Sequence, residues 1–400
     1  MPGKEPSQSR QVPPRAAGGK QAPRPMVTAD ERRQAITERR NSSALSRPAP
    51  TPTPAAGQAP LTEAQLLQQE IDRFGAIQDD LMLTRINDDL EDVNSAIAAL
   101  APNIENIRSR GYVFKSYLER KAQTLDTQWK ELRPKVEAAT RSSVTTLQID
   151  ARLVQATLNR RQRATAALSS LESKATAAQR NLQGMYDALN DNVNQTQQQI
   201  DEISWTLQQA EQASFGFLPT EGVIEAVPAN WKKPDDKDGV GGVLFLTDQR
   251  LVFEQKEEVA TKKVLFITTE KQKVQSLAWE IPVSNIATAT GSKRGFMNKD
   301  DFLTVTAADG ASLKSPQGGG FRNADVHLKG ETGESWQGFV GRVKSGEIAK
   351  ERTVPVDEKA VAAVANAPTK CGTCGATITQ TILRGQTELN CQYCGSLIRL

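Results

Sequence analysis

From Leu61 to about Ser214 the apolar residues recur at spacings of three and four, with few helix breakers between them. Leu83, Ile86, Leu90, Val93, Ile97, Leu100, Ile104 and Ile107 keep this alternation without a miss, which places them on one stripe of a helix as a coiled-coil seam. Val144, Leu147, Ala151, Val154 and Leu158 repeat it, as do Leu171, Ala175, Ala178, Leu182, Met185 and Leu189. Two successive spacings of four, from Met185 to Leu189 and on to Val193, predict a stutter, after which Ile200, Ile203, Leu207 and Ala210 resume the pattern. Pro102, Gly111 and Pro134 are the candidate hinges, and a reversal near Ala101–Gly111 would lay the early helix antiparallel on a later one. Such a seam does not stay exposed to water. Residues 61–215 are therefore expected to form a homo-oligomer or an intramolecular helical hairpin.

At Phe215-Gly216 the period changes to two. Gly222–Val227, Gly242–Thr247, Arg250–Gln255, Lys263–Thr268, Leu277–Ile281, Phe302–Ala307 and Ala324–Leu328 are short, apolar or β-branched, and separated by turn residues, which predicts seven strands. From Glu334 to about Lys350 the pattern returns to helical. Trp336, Phe339, Val340 and Val343 fall at i, i+3, i+4 and i+7, one apolar face suited to plugging a bent sheet. His327, the single histidine, falls in the last predicted strand and reads as a strand residue.

Composition changes the picture at the N-terminus. Residues 1–60 alternate Pro, Ala, Ser, Gln and Arg and end in a Pro-rich run, which predicts a disordered basic arm with ten Lys and Arg against four Asp and Glu. Thr28 and Glu31 read as a capping box opening a polar helix to about Arg40. Residues 61–215 are acidic, with 17 basic against 21 acidic side chains, so the chain's net charge of +3 reports the arm and says little about the folded parts.

The only cysteines are Cys371, Cys374, Cys391 and Cys394, in two C-x-x-C pairs each followed by a glycine, Gly375 or Gly395. Four thiolates at this spacing form a tetrahedral soft-ligand shell, and the glycines let the backbone turn so that its N–H groups face sulfur. A rubredoxin-like iron site or two disulfides would use the same residues. Met1–Arg10 lacks an apolar signal core, which speaks against an oxidising compartment and favours one structural zinc. The pattern resembles the zinc-ribbon family over residues 369–400.

The central segment carries a second resemblance. Gly242-Val-Leu-Phe-Leu-Thr-Asp-Gln-Arg-Leu-Val-Phe253 looks like the second and third strands of the GRAM branch of the pleckstrin-homology superfold, and Ile281-Pro-Val-Ser-Asn-Ile286 is similar to that family's lead into its next strand. The resemblance implies a β-barrel with a C-terminal helix that binds lipid headgroups or protein segments. Phosphoinositide-binding members of that family carry uncompensated Lys and Arg between their first two strands. Here the loop Trp231–Asp238 mixes Lys232, Lys233 and Lys237 with Asp235, Asp236 and Asp238 and is near neutral. Lys293, Arg294 and Lys299, around Phe296 and Met297, form the other basic cluster and the candidate ligand-binding site, able to press onto a membrane or a partner.

The expected fold is thus a multidomain α+β chain: the arm to residue 60, a coiled-coil segment at 61–215, a pleckstrin-homology/GRAM-like β-domain at 216–350, a linker at 351–368 and a zinc ribbon at 369–400. One histidine, no nucleophile elbow and a saturated cysteine cage assemble no catalytic constellation. The expected function is a non-enzymatic scaffold or adaptor that self-associates through its coil and presents its modules to protein or membrane partners. The alternative is a nucleic-acid-associated protein using the ribbon and the basic arm. No apolar run reaches the ~20 residues of a membrane span, so a cytoplasmic protein touching membranes only peripherally is expected.

Overall fold

The structure, a computed structural model, describes residues 61–232, 239–264, 267–316 and 318–400; of 258–264 and 267–272 it describes the backbone alone. The arm 1–60, with the helix expected from Thr28, lies outside the described residues, as do Lys233, Lys237 and the three aspartates of the loop that ends at Asp238.

The helical segment closes on itself. Helix α1 (Glu63–Ala76) opens on a capping box between Thr62 and Gln65, and α2 (Gln78–Met82) leads through a left-handed Leu83 into α3 (Thr84–Ser109). Two long helices follow, α4 (Leu118–Asn159) and α5 (Thr165–Glu211). Cross-links fix their directions. Asn94 Oδ1 accepts from Trp129 Nε1 at 3.0 Å and Glu91 pairs with Arg133, so α3 and α4 are antiparallel. Lys174 pairs with Asp150, making α4 and α5 antiparallel, while Tyr186 donates to Asp89 and Asn103 to Gln197, making α3 and α5 parallel. All eight predicted seam residues from Leu83 to Ile107 are buried. Their cover comes from within the chain, so the seam gives no reason for a second copy.

Two sequence expectations fail here for identifiable reasons. Pro102 and Pro134 sit inside α3 and α4 without breaking them, because buried neighbours on both sides, Leu100 and Ile104 in one helix, Trp129 and Val136 in the other, hold the helix in line. Only Gly111, at φ 90°, marks a reversal; the second, between α4 and α5, falls at Arg161, a left-handed non-glycine that no sequence signal announces. The register of α5 also differs. Gln179 and Tyr186 occupy the seam and Met185 is 39% exposed, so the spacing runs evenly from Leu182 to Leu207 and the double four falls earlier, at Leu171, Ala175 and Gln179. Tyr186 fits because its hydroxyl reaches Asp89.

Glu70 links α1 to the start of α5. Its carboxylate accepts from the Ala164 N–H at 2.7 Å, from Arg163 Nε at 2.7 Å and from the Thr165 hydroxyl, supplying the side-chain cap that α5 lacks. Burial alone would raise its pKa; the hydrogen bonds from Thr165, Ala164 and Arg163 outweigh this and hold it below the usual carboxylate value.

The sheet has nine strands among the described residues. They are β1 (Val223–Lys232), β2 (Val240–Thr247), β3 (Arg250–Val264), β4 (Ile267–Pro282), β5 (Ile286–Arg294), β6 (Asp300–Ala307), β7 (Leu313–Lys314), β8 (Gly320–Phe321) and β9 (Asn323–Leu328), in the order β5-β6-β9-β1-β2-β3-β4-β7-β8. Every described pairing is antiparallel, and none joins β5 to β4 or β8; the expected barrel is an open sheet. Helix α6 (Gly333–Lys344) packs on β5 and β6 with Trp336, Val340 and Val343 buried. The predicted strand at Lys263–Thr268 is instead where β3 and β4 meet; these strands are 15 and 16 residues long and pair beyond the reach of β2. Strand β5 follows the Ile281–Ile286 motif but escapes a strand search by alternation, since most of it is exposed.

One core runs through bundle and sheet without interruption. The α3–α4 turn carries Phe114, fully buried, against Gly222, where a Cβ would stand 2.8 Å from the ring. Arg108 holds that turn by donating to the carbonyls of Tyr112, Phe114 and Lys115. Lys115 pairs with Glu225 at 3.5 Å, and Ser214 N–H donates to Glu254 at 2.5 Å. The Leu-Thr-Asp-Gln-Arg motif now has a physical meaning. Thr247 Oγ1 accepts from the N–H groups of Gln249 and Arg250 and donates to Glu221 Oε1 at 2.7 Å. Arg250 then grips both oxygens of the fully buried Glu221, at 2.8 and 2.9 Å, and also donates to Glu280 and to the Gly216 carbonyl. Asp248 accepts from Gly222 N–H and pairs with Arg352; burial raises its pKa by more than these partners lower it.

Tyr186→Ala is expected to cost about 3 to 5 kcal/mol of unfolding free energy and Met185→Ala less than about 0.5, read by urea denaturation. The opposite ranking would restore the register expected from apolar spacing. Arg250→Met strands the Glu221 charge and should cost about 3 to 5 kcal/mol, part of it recovered when Glu221→Gln is added.

Candidate functional site

The C-terminal segment places all four predicted ligands together. Each cysteine pair sits on a tight turn of the same build: Gly375 N–H donates to Cys371 O at 2.8 Å and Gly395 N–H to Cys391 O at 2.9 Å, both glycines in the left-handed region at φ 71° and 72°. Each turn is closed by a further bond, Cys371 N–H to Ala376 O and Cys391 N–H to Ser396 O. The second turn joins strands β10 (Glu388–Asn390) and β11 (Leu397–Arg399); the first is flanked by a bridge between Lys370 and Thr377.

The sulfurs lie within 4.8 Å of one another, with Cys371 to Cys394 at 3.7 Å and Cys374 to Cys391 at 3.6 Å. None is in a disulfide. A tetrahedron of sulfurs about a cation at ~2.3 Å has edges of about 3.8 Å, so these residues can hold one metal ion such as zinc. Ionisation is arranged for it. The Ser396 hydroxyl, then the N–H groups of Cys374 and Thr373, lower the Cys371 thiol to about 5, and the same hydroxyl lowers Cys394. Cys374 goes the other way. The Ala376 N–H lowers it, but the sulfurs of Cys394, Cys391 and Cys371, with burial, push it up to about 12, because four thiolates do not share one small volume without a cation among them. Ser396, at 3.2 Å from Cys371 and 3.0 Å from Cys394, is the functional residue that sequence reading missed; the first turn has Ala376 in its place.

The apolar interior of this unit is small: Cys371, Leu389, Cys391 and Ile398. It is held to the sheet by the loop before β10. Leu383 packs on Gly216, Arg384 N–H donates to Phe217 O at 2.7 Å, and the Arg384 guanidinium lies over the Phe217 ring and donates to Glu221 O.

The second predicted site, Lys293, Arg294, Phe296 and Lys299, forms the β5–β6 turn. Its members do not act alike. Arg294 is bound to Asp325 at 3.1 Å and to Thr304 at 2.7 Å and lies over the Phe302 ring, which holds the Asp325 carboxyl below its usual range against the opposing effect of burial. Lys293 and Lys299 make no ion pair with a described residue, and Phe296 and Met297 are 85% and 72% exposed. Gly295, Met297 and Asn298 all have positive φ, at 78°, 59° and 54°, a conformation costing about 1 kcal/mol or more at each non-glycine. Since β9 lies antiparallel between β1 and β6, the turn is at the opposite end of the strands from Lys232, the last residue of β1. His327 lies in β9, as expected, stacked on Phe302 with Nε2 3.7 Å from Asp300.

Among the described residues no helix is long and apolar enough to cross a membrane. No family model matches the chain, and no curated protein matches it. Solved structures do. A Slm1 pleckstrin-homology domain in complex with inositol-4-phosphate is 14% identical, with a TM-score of 0.19, covering 31% of this chain and 95% of that one. The DH/PH domains of PDZ-RhoGEF in complex with activated RhoA are 12% identical, with a TM-score of 0.22, covering 72% and 96%, and those of p115-RhoGEF are 11% identical, with a TM-score of 0.20, covering 71% and 93%.

Proposed function

We propose that this chain is a non-enzymatic adaptor in which a three-helix bundle, a pleckstrin-homology/GRAM-like sheet and a zinc ribbon are locked into one platform. The observation that carries the reading is the shared joint: the Gly216 carbonyl binds Arg250, the Glu221 side chain binds Arg250, and the Glu221 carbonyl binds Arg384 of the ribbon loop. Charged groups buried at this joint are spent on holding parts together. The strand order β5-β6-β9-β1-β2-β3-β4 with α6 laid on β5 and β6 supports a binding module of the pleckstrin-homology plan.

Cys371, Cys374, Cys391 and Cys394 would hold the zinc. With four sulfur ligands no coordination position is left for a water or substrate, so the ion would act as a folding staple for a unit whose apolar core is too small to stand alone. Self-association is no longer required, because the apolar seam is covered by α3, α4 and α5 of one chain.

The test is metal content and proteolysis of the full chain. One zinc per chain is expected, falling below a tenth of that in Cys374→Ser and Cys391→Ser. A strong chelator should expose residues 369–400 to protease while the bundle and sheet stay resistant. A tail equally resistant with and without chelator would overturn the staple, and turnover of a small molecule by the purified chain would overturn the adaptor reading.

A further inference from the structure

We infer that the β5–β6 turn is a membrane anchor, with Phe296 and Met297 entering the interfacial layer of an anionic bilayer while Lys293 and Lys299 meet its phosphate headgroups. The inference deepens the adaptor reading by naming a partner for the sheet.

Scattered exposed apolar residues are ordinary on a protein surface, but two adjacent ones at the tip of a turn, 85% and 72% exposed, are presented rather than left over. The backbone keeps them there. Left-handed Met297 and Asn298 follow left-handed Gly295, so a tight turn rather than a collapsed loop projects the pair outward. The cations divide by role: Arg294 is spent on Asp325 and Thr304, whereas Lys293 and Lys299 pair with no described carboxylate. The carboxylates at the start of β6 have neighbours within the fold, although the Asp300 side chain is 46% exposed. Asp300 lies against Gly295 and 3.7 Å from His327, and Asp301 accepts from the Gly333 N–H at 3.2 Å.

An anionic bilayer suits this geometry better than a protein groove. A convex tip with two apolar side chains falls far short of the roughly 800 Å² per partner that a stable protein interface buries. Shallow insertion needs no such area, because apolar burial and attraction to anionic lipid add, and the long lysine stems can follow the apolar side chains down while their ammonium groups stay at headgroup level.

The test is flotation of the full chain with vesicles of phosphatidylcholine alone or with about one third phosphatidylserine. Binding to the phosphatidylserine vesicles is expected, weakened by added salt and weak or absent on phosphatidylcholine. Phe296→Ser with Met297→Ser should lower it at least tenfold with unchanged circular dichroism and melting temperature, and Lys293→Glu with Lys299→Glu should do likewise. The exposed pair Val361→Ser with Val364→Ser, on the separate helix Glu358–Ala365, should leave it unchanged. No binding by the unmodified chain, undiminished binding by the Phe296/Met297 variant, or a tip that instead proves necessary for capture of a purified protein without lipid would overturn the inference. None of these results changes the metal content or the chelator response, so a failure here and a failure of the zinc-stapled platform are told apart.

Discussion

Removing the Glu221 carboxylate and the Arg250 guanidinium from water costs several kcal/mol each, and their mutual attraction repays this only where the remaining hydrogen-bonding positions are also filled. Here they are. Thr247 and the Leu218 N–H complete the carboxylate, and Gly216 O and Glu280 complete the guanidinium, with the Phe215 ring against its face. Everything that joins at this point depends on that saturation: the exit from α5, the start of β1, the β2–β3 turn and the loop between the two cysteine turns. Arg352, over Phe114 and paired with Asp248, repeats the device one step further along, tying the end of the sheet region to the α3–α4 turn.

What could be read from sequence was what depends on neighbours close along the chain. The cysteine cage is set by two local turns whose glycines are visible in the spelling. The α3 seam is visible because every one of its positions is aliphatic. In α5 the same method fails at Ala178 and Met185, since the true seam contains Gln179 and Tyr186, whose polar atoms hide their burial from an apolar count. The part of the β3–β4 hairpin beyond β2 pairs, in the described backbone, only with itself, and in β5, most of which is exposed, no buried face imposes alternation. The contacts of Arg352 with Asp248 and of Arg384 with Glu221 lie beyond any local pattern. An arginine that grips carbonyls elsewhere in the fold is spelled like one that sits in solvent.

The two candidate sites also differ in how they are built. The cysteine unit has almost no core, so its shape and its chemistry are the same set of atoms. The β5–β6 turn is the reverse case, a conformationally costly loop whose cost is met by a well-packed sheet behind it, with Trp336 and Leu303 fully buried nearby.

Helix α5 has 47 residues, which at 1.5 Å each spans about 70 Å between the Glu70 cap and the joint at Glu221. The bundle is therefore a ruler as well as a support. Because α4 returns between two parallel partners, an insertion in any single helix would rotate its seam out of register; length can change only by whole heptads added to all three helices together, in steps of roughly 10 Å. The gap between the two ends is thus fixed far more strictly than the identity of any one residue along it.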